Sequence, residues 1–420
     1  MPAHCVMSAS SPLFLTALPA VCSMKIKGLI DKYSDGIEDV RKVLNYLSKP
    51  TLHMSRMEFH GVGAREFEFI AGMVGETGRV STKPRLAYDY NTHVLIVNMP
   101  TVLHQVSFDD VRIFVSDFIH DLPYDPEIIC PMLDTSLMLE IADGSIMPDM
   151  AMTVTAVEGP TEVVLIPFVA ECALSETDEH VFEKAEDIIL AYPDVICIAV
   201  MLVREAREYA APDYRDSTVP TALCGGTDSD PKPLTLKQFI NLRTTPRSFG
   251  EPTVIGDHTW CHLSSVEYFV WVKRDDGSPI DIRSQDPGDM AYGIVMPEID
   301  MDAVTEMLER GLTKVRDSFV AFQKELEPSV DCTALAESEV RCRTNWRLVS
   351  KRLFGASDVT AHKRYLAWHK KHFGTGSAES SYVDSEQADE GEEPVVVATS
   401  KRKRACASAL PCSRYKIKKS

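Results

Sequence analysis

The chain has no CxxC pair and no cluster of cysteine and histidine at zinc-finger spacing. Its 11 cysteines are scattered and odd in number, which argues against a structural zinc site and against a disulfide framework. They read as reduced thiols in an intracellular protein. No apolar run reaches the roughly 18–20 residues that a membrane-crossing helix needs, so a membrane span is not expected. The glycines of "GMVGETGRVSTK" miss the spacing of a phosphate-cradling loop, and neither GxSxG nor HExxH occurs. "CGGTDSDPKP" reads as a polar loop in which Cys224 has no partners for nucleophilic chemistry. No repeat recurs at solenoid periods. The opening segment carries a short apolar stretch, "PLFLTALPAV", without the basic residues that precede it in a signal peptide. Residues 1–23 therefore read as a disordered leader, with a start at Met24 as an alternative.

What remains is a 420-residue chain, 45% apolar and 25% charged, which is ordinary for a soluble globular protein with a sizeable core. Its net charge of −18 is unevenly spread. Arg341–Lys371 carries nine Lys/Arg and one acid, Glu379–Glu393 seven acids and no base, and Lys401–Lys419 eight bases and no acid. The body before Arg341 is strongly acidic, and the positive charge is gathered at the C-terminal end. Because Lys and Arg facing phosphates dominate nucleic-acid affinity, an acidic body cannot hold DNA tightly by charge alone. "RCRTNWRLVSKRLFGASDVTAHKRYLAWHKKHFG" interleaves bases with Trp346, Phe354, Tyr365, Trp368 and Phe373. It reads either as a nucleic-acid-binding segment or as a helical pair that packs its rings on the body. Residues 374–420 read as a disordered acidic linker followed by a basic tail. The tail clusters Lys401–Arg404 and Lys416–Lys419 point to nuclear import or a nucleic-acid tether.

Between Met147 and Ala206 the pattern is more specific. "DMAMTVTAV" and "VVLIPFVAECAL" are β-branched, apolar runs separated by the turn signal "EGPTE". A hairpin centred on Pro160 pairs residues whose numbers total 320, which sets Asp149 opposite Glu171. Opposed side chains on one sheet face stand about 4.5–5.5 Å apart at Cβ, so two carboxylates there repel unless a cation or a proton separates them. A hard divalent ion such as Mg²⁺ or Mn²⁺ is the natural occupant. Pro167 interrupts the second strand and predicts a bulge. Next, "TDEHVFEKAEDIILAYPDV" places Val181, Ala185, Ile188, Ile189 and Tyr192 on one helical face, with a cap at Ser175 or Thr177 and a stop at Pro193. Lys184 falls at the edge of that face, within reach of the end of the sheet. "VICIAVMLVRE" then reads as a strand buried on both faces. Further on, "HTWCHLSSVEYFVWVKRDDGSPIDI" reads as a hairpin turning at "RDDGSP", and "MDAVTEMLERGLTKVRDSFVAFQKEL" as a long amphipathic helix. The stripe on that helix, Val304 to Phe319, is either a core face or a contact between two copies.

The order of these features resembles the PD-(D/E)XK restriction-endonuclease-like superfamily, and within it the bacterial endonucleases of the Uma type. The residues that carry the likeness are Pro148–Asp149, the Glu171 strand, Ser175, Lys184 and Tyr192, with "MP…H" at Met99, Pro100 and His104 upstream. It covers roughly residues 80–210. The whole chain is also similar to multicopy proteins of mushroom-forming fungi. The family's lysine, two residues after the glutamate, is replaced here by Ala173, and Lys184 is the candidate for a lysine moved to the helix. The resemblance implies a mixed α/β (α+β) fold with a restriction-endonuclease-like core: a mixed central sheet flanked by helices. That core would sit at about 80–210 within a domain spanning 24–330, elaborated over 211–330. A basic helical extension over 331–373 would follow.

It further implies Mg²⁺- or Mn²⁺-dependent DNA hydrolysis. Asp149 and Glu171 would hold the metal with the carbonyl of Cys172, and Lys184 would steady the attacking water or the developing charge. The competing reading is a catalytically inactive nuclease-fold scaffold or nucleic-acid-binding module in the nucleus. Plainer readings also exist for single residues: Asp149 as a turn residue, Glu171 as a buried structural acid, Lys184 as a surface lysine and His104 as a packed loop histidine.

Overall fold

The computed structural model describes residues 38–48, 56–76, 84–99, 101–135, 137–158, 164–174, 177–213, 219, 223, 225–227, 230–248 and 250–373. All of these belong to one compact unit ending at Gly374; the second unit, Thr375–Ser420, lies outside the described residues. So do the leader, Pro100, the turn at Pro160, Ser175 and Cys224.

The central element is a mixed six-stranded sheet. It is built from β4 (Ile129–Asp134), β7 (Met150–Ala156), β8 (Val164–Leu174), β9 (Cys197–Glu205), β14 (Leu263–Val272) and β15 (Met290–Met296), and its spatial order is β15-β14-β9-β8-β7-β4. Only β8 and β9 run parallel; the other neighbours are antiparallel. The parallel pair needs a crossover, which is the helix α4 (Asp178–Ala191). Thr177 caps that helix by accepting from the His180 N–H, Asp178 and Glu179 fill its first turn, and Val181, Ala185, Ile188 and Ile189 are buried. The first seven residues of β9 are buried without interruption, as expected of a strand covered on both faces.

Helices α3 (Val102–Asp121), α6 (Asp302–Leu326) and α8 (Trp346–Phe373) cover one face of the sheet, and α4 covers the other. Gly311 lets α6 come close to the sheet, because a Cβ there would meet Cys197 Sγ at 2.7 Å. The α6 stripe of Val304, Met307, Leu308, Leu312, Val315 and Phe319 is buried in this layer, so it is a core face. The extension at 331–373 joins the same core rather than standing apart. Apart from the five-residue α7 (Thr333–Glu337) it forms a single 28-residue helix and not a helical pair. Val349, Leu353, Tyr365 and Trp368 sink into the core, and each such side chain contributes roughly 1.5–3 kcal/mol by leaving water.

A second sheet is smaller and wholly antiparallel, in the order β1-β3-β2-β6-β5. Its strands are β1 (Arg56–His60), β2 (Arg85–Asp89), β3 (Val94–Asn98), β5 (Leu139–Ile141) and β6 (Gly144–Ile146). With α1 (Glu38–Ser48) and α2 (Ala64–Glu76) it encloses its own apolar core around Phe67, Ile70, Leu95 and Val97. Gly144 is needed where β6 meets β2, since any Cβ there would run into the carbonyl of Tyr88. The chain passes from β6 through Met147 and Pro148 directly into β7, so the small sheet delivers Asp149 to the large one.

Two short hairpins complete the unit: β10 (Gly225–Thr227) with β11 (Asp230–Lys232), and β12 (Thr253–Ile255) with β13 (His258–Cys261), with α5 (Leu236–Asn241) between them. Here the expected hairpin over 258–282 is corrected. "HTWC" pairs with 253–255, and β14 takes β15 as its partner, eighteen residues beyond its own end. The long connection holds Ile280 and Ile282 against the α4 side of the core, so those residues are spent on packing and not on pairing. Among the described residues no helix is long and apolar enough to cross a membrane.

Candidate functional site

The β7–β8 register places Met150 opposite Ala170, Ala151 opposite Val169 and Met152 opposite Phe168. Continued by one residue, it sets Asp149 opposite Glu171. The pairing shifts between Met152 and Val154, so the extra residue falls at Ile166–Pro167, where proline cannot donate to the ladder. Both acids are only 3% exposed. Carboxylates so removed from water must be compensated.

The compensation comes from three directions. From α4, Lys184 donates to Glu171 Oε2 at 2.8 Å. From β2, Arg85 donates through Nε to Asp149 Oδ1 at 3.0 Å and through a terminal nitrogen to the Asp149 carbonyl at 3.3 Å. Its other terminal nitrogen donates to the carbonyl of Thr135. From the first turn of α3, His104 Nε2 lies 3.0 Å from Asp149 Oδ2, an oxygen that also accepts from the Cys172 N–H at 2.8 Å. Burial alone would raise the Asp149 carboxyl, but the His104 ring, the Lys184 ammonium and the Arg85 guanidinium outweigh it and hold Asp149 well below the usual carboxylate range. Asp149 is therefore ionised at neutral pH, with both oxygens engaged.

The positions of these groups are fixed by the fold. Thr101 caps α3 by accepting from the His104 N–H, which orients the first turn toward the sheet end. Arg85 is registered to the site by the bond from Met147 N–H to the Leu86 carbonyl at 3.0 Å, two residues before Asp149. Helix α4 is pinned from outside. Arg204 on β9 bridges Asp178 at 2.6 Å and Glu267 at 3.2 Å, and Arg283 bridges Glu179 and Glu186 on either side of Lys184. Each exposed pair contributes at most about 1 kcal/mol, yet together they restrict how the helix can turn.

The structure brings Asp149, Glu171, Cys172 and Lys184 together, and with them two residues that sequence reasoning missed in this role. His104 is corrected from a packed loop histidine to a helix residue on Asp149. Arg85 had no local signal beyond being a cation at the head of an alternating strand, 64 residues from its partner. Tyr192 is not part of the cluster: it ends α4 eight residues, about 12 Å, beyond Lys184 and packs with the apolar layer. Ala173 is buried in that layer too, which leaves Lys184 as the lysine next to Glu171.

The donor set is made of oxygens. Asp149, Glu171 and the backbone carbonyl of Cys172 are hard oxygen donors, and Mg²⁺ is commonly held by one or two carboxylates while water and substrate phosphate complete its shell. Among the described residues no group of three or more His, Cys, Asp and Glu side chains is arranged to hold a metal ion. In the structure the carboxylate oxygens are engaged by protein donors, Asp149 by Arg85, His104 and the Cys172 N–H and Glu171 by Lys184. Compared with models of known protein families, with curated proteins and with solved structures, the chain finds no match in any of the three.

Proposed function

We propose that this protein is a Mg²⁺-dependent hydrolase of DNA phosphodiesters built on a restriction-endonuclease-like core, with Mn²⁺ as a substitute ion. Asp149, Glu171 and Lys184 are its catalytic residues, and the Cys172 carbonyl is the third oxygen donor. The observation that carries this reading is the 2.8 Å contact from Lys184, on the helix after the glutamate strand, to Glu171 beside Asp149. It supplies from α4 the cation that Ala173 cannot. The strand–strand–helix–strand order of β7, β8, α4 and β9 supports the same reading.

Asp149, Glu171 and the Cys172 carbonyl would hold the metal, which would supply polarisation of the scissile phosphate and a lowered pKa for an attacking water. Asp149, ionised and anchored by the Cys172 N–H, offers a fixed negative oxygen at the sheet end. Glu171 offers the second, from the neighbouring strand. Lys184 holds its ammonium where negative charge gathers on the phosphate in the transition state, and being already in place it needs no reorganisation. DNA is the proposed partner. The rings of Tyr365 and Trp368 are buried and cannot stack on bases, whereas Arg347, Lys351, Lys370 and Lys371 on α8 are exposed to meet phosphates by charge. The basic tail would engage the nuclear import machinery, giving a nuclear location, and a homodimer would present two such sites.

One observation favours a second reading, an inactive nuclease-fold scaffold or nucleic-acid-binding module. The two carboxylates already face two cations, Arg85 and Lys184, within a body of strong negative charge. Incubating plasmid and single-stranded DNA with Mg²⁺ or Mn²⁺ separates the two. Cleavage by the wild type that is lost in Asp149→Ala and in Glu171→Ala supports the hydrolase. DNA retained without any cleavage supports the scaffold.

A further inference from the structure

Arg85 belongs neither to the large sheet nor to the sequence pattern that marks the acids, yet it makes the most contacts to Asp149. Its side chain is 14% exposed and that of Asp149 4%. It holds Asp149 through two separate nitrogens, one on the carboxylate and one on the main-chain carbonyl, while its third is spent on Thr135. A long side chain tied at three points is not a casual surface pair. Its strand is tied as well, because β2 pairs with β6 and the Leu86 carbonyl takes the Met147 N–H. A guanidinium stays protonated at any pH a folded protein meets, so it cannot relax by losing its charge.

A divalent ion shared by Asp149 and Glu171 would compete for oxygens already engaged, Oδ1 by the Arg85 guanidinium and Oδ2 by His104 and the Cys172 N–H. Arg85 and Lys184 each pair one of the two acids, so an incoming ion meets carboxylates that already have cationic partners. Removing one positive charge leaves the pair with an excess of one negative charge in surroundings that screen it poorly.

We propose that Arg85 is a built-in competitor for the metal: it neutralises Asp149 in the metal-free protein and must withdraw from Oδ1 for a divalent cation to bind. This rests on the hydrolase reading of the same site. It adds that metal affinity is set by the small N-terminal sheet, through an arginine that this sheet sends to the head of β7. The free chain is thereby kept in a closed, ion-paired state until the cation level is high enough to displace the guanidinium.

The test is calorimetric titration of Mg²⁺, and separately Mn²⁺, into the full chain as wild type, Arg85→Gln and Arg85→Lys, with melting checked first in the absence of metal. The glutamine keeps donors but no charge, and the lysine keeps the charge. The expected result is at least roughly tenfold tighter metal binding for Arg85→Gln and near-wild-type affinity for Arg85→Lys, since an opposite charge at this range shifts a carboxylate equilibrium by about one to three powers of ten. A second readout uses the wild type alone: the ¹⁵Nε–H signal of Arg85, identified by its loss in Arg85→Lys, should be protected from exchange without metal and lose that protection as Mg²⁺ is added. If the wild type binds metal but Arg85→Gln binds it no more tightly, or if the signal stays protected in saturating Mg²⁺, the competitor role is overturned while the hydrolase reading stands. If none of the three proteins binds either ion, both fall together.

Discussion

Two buried ion-pair clusters in this fold are built in different ways. Beneath α8, Arg364 places its two terminal nitrogens on the two oxygens of Glu205 at 2.8 and 2.6 Å, donates also to the Trp260 carbonyl, and lies 4.3 Å from the centre of the Tyr209 ring. One cation and one anion meet bidentately there, with only backbone groups added, the Trp260 carbonyl on Arg364 and the His262 N–H on Glu205, so the pair is a brace that fastens α8 to β9. At the head of β7 the composition is similar but the arrangement differs. Cations arrive from β2 and α4 and an imidazole from α3, acids from two strands, and Asp149 divides its oxygens among partners from separate elements. Mutual saturation fixes a structure. Convergence from several elements makes a place where one partner can be exchanged for another.

The sharpest way to break this comparison is to remove an acid from each cluster. Asp149→Ala or Glu171→Ala should lower the rate of Mg²⁺-dependent plasmid cleavage by about 10³-fold or more, because metal activation supplies several kcal/mol and each 1.36 kcal/mol is a factor of ten. Glu205→Ala or Arg364→Ala should leave metal binding unchanged while lowering the unfolding free energy by about 3–5 kcal/mol, the cost of orphaning one member of a buried pair. Denaturant unfolding beside metal titration reads both effects. Lys184→Ala comes next: cleavage should fall by about 10²-fold, the scale of losing one prearranged electrostatic contact, while metal affinity stays equal or improves. A metal affinity that fell with the lysine would show that Lys184 supports the acids instead of acting on the phosphate.

Much of this site was legible because its parts are close in sequence. The two apolar runs within 149–174, the turn signal "EGPTE" between them and the proline at 167 define a register, and a register decides which acids face each other. Likewise the 3.6 periodicity of 178–191 and the unbroken apolar run of β9 state where the helix lies and that the following strand is covered on both sides. Lys184 could be placed because the helix begins at a readable cap. Arg85 could not, since its meeting with Asp149 depends on how a separate sheet docks and nothing within a few residues records it; His104 stood out only through the "MP…H" upstream, which does not name its partner. The same limit explains the hairpin that was misassigned. A turn as strong as "RDDGSP" suggests an immediate return, but Ile280 and Ile282 gain more from burial against the α4 layer, so β14 waits for β15. In 346–373, rings among bases suit a nucleic-acid surface and a packed helix equally; only the core beneath shows that Tyr365 and Trp368 point inward.

Acid sharpens the comparison further. Asp149 is held below the usual range, so its ion pairs contribute fully above the unfolded value near 4 and are lost as pH falls from there toward the folded value. The wild type should therefore lose melting temperature more steeply between pH 5 and 3 than Asp149→Asn, whose side chain does not titrate; equal slopes would contradict the assignment. The smallest effect concerns thiols. Burial pushes Cys261, beside the brace, and Cys197, beneath α6, up to about 12, which leaves a thiolate fraction of roughly 10⁻⁴ at pH 8. Both should resist iodoacetamide while exposed Cys130 reacts. Arg364→Ala should open Cys261 and spare Cys197, as mass spectrometry of the labelled peptides will show.

The most direct test of the central claim is the metal itself, without DNA. Mn²⁺ titrated into the wild type should give a saturable binding heat and a rise in melting temperature, both abolished in Glu171→Gln, which keeps the size of the side chain and removes its charge. No binding heat and an unmoved melting temperature in Mn²⁺ and Mg²⁺ alike would contradict the account, and leave the converging charges at the head of β7 as a second structural brace.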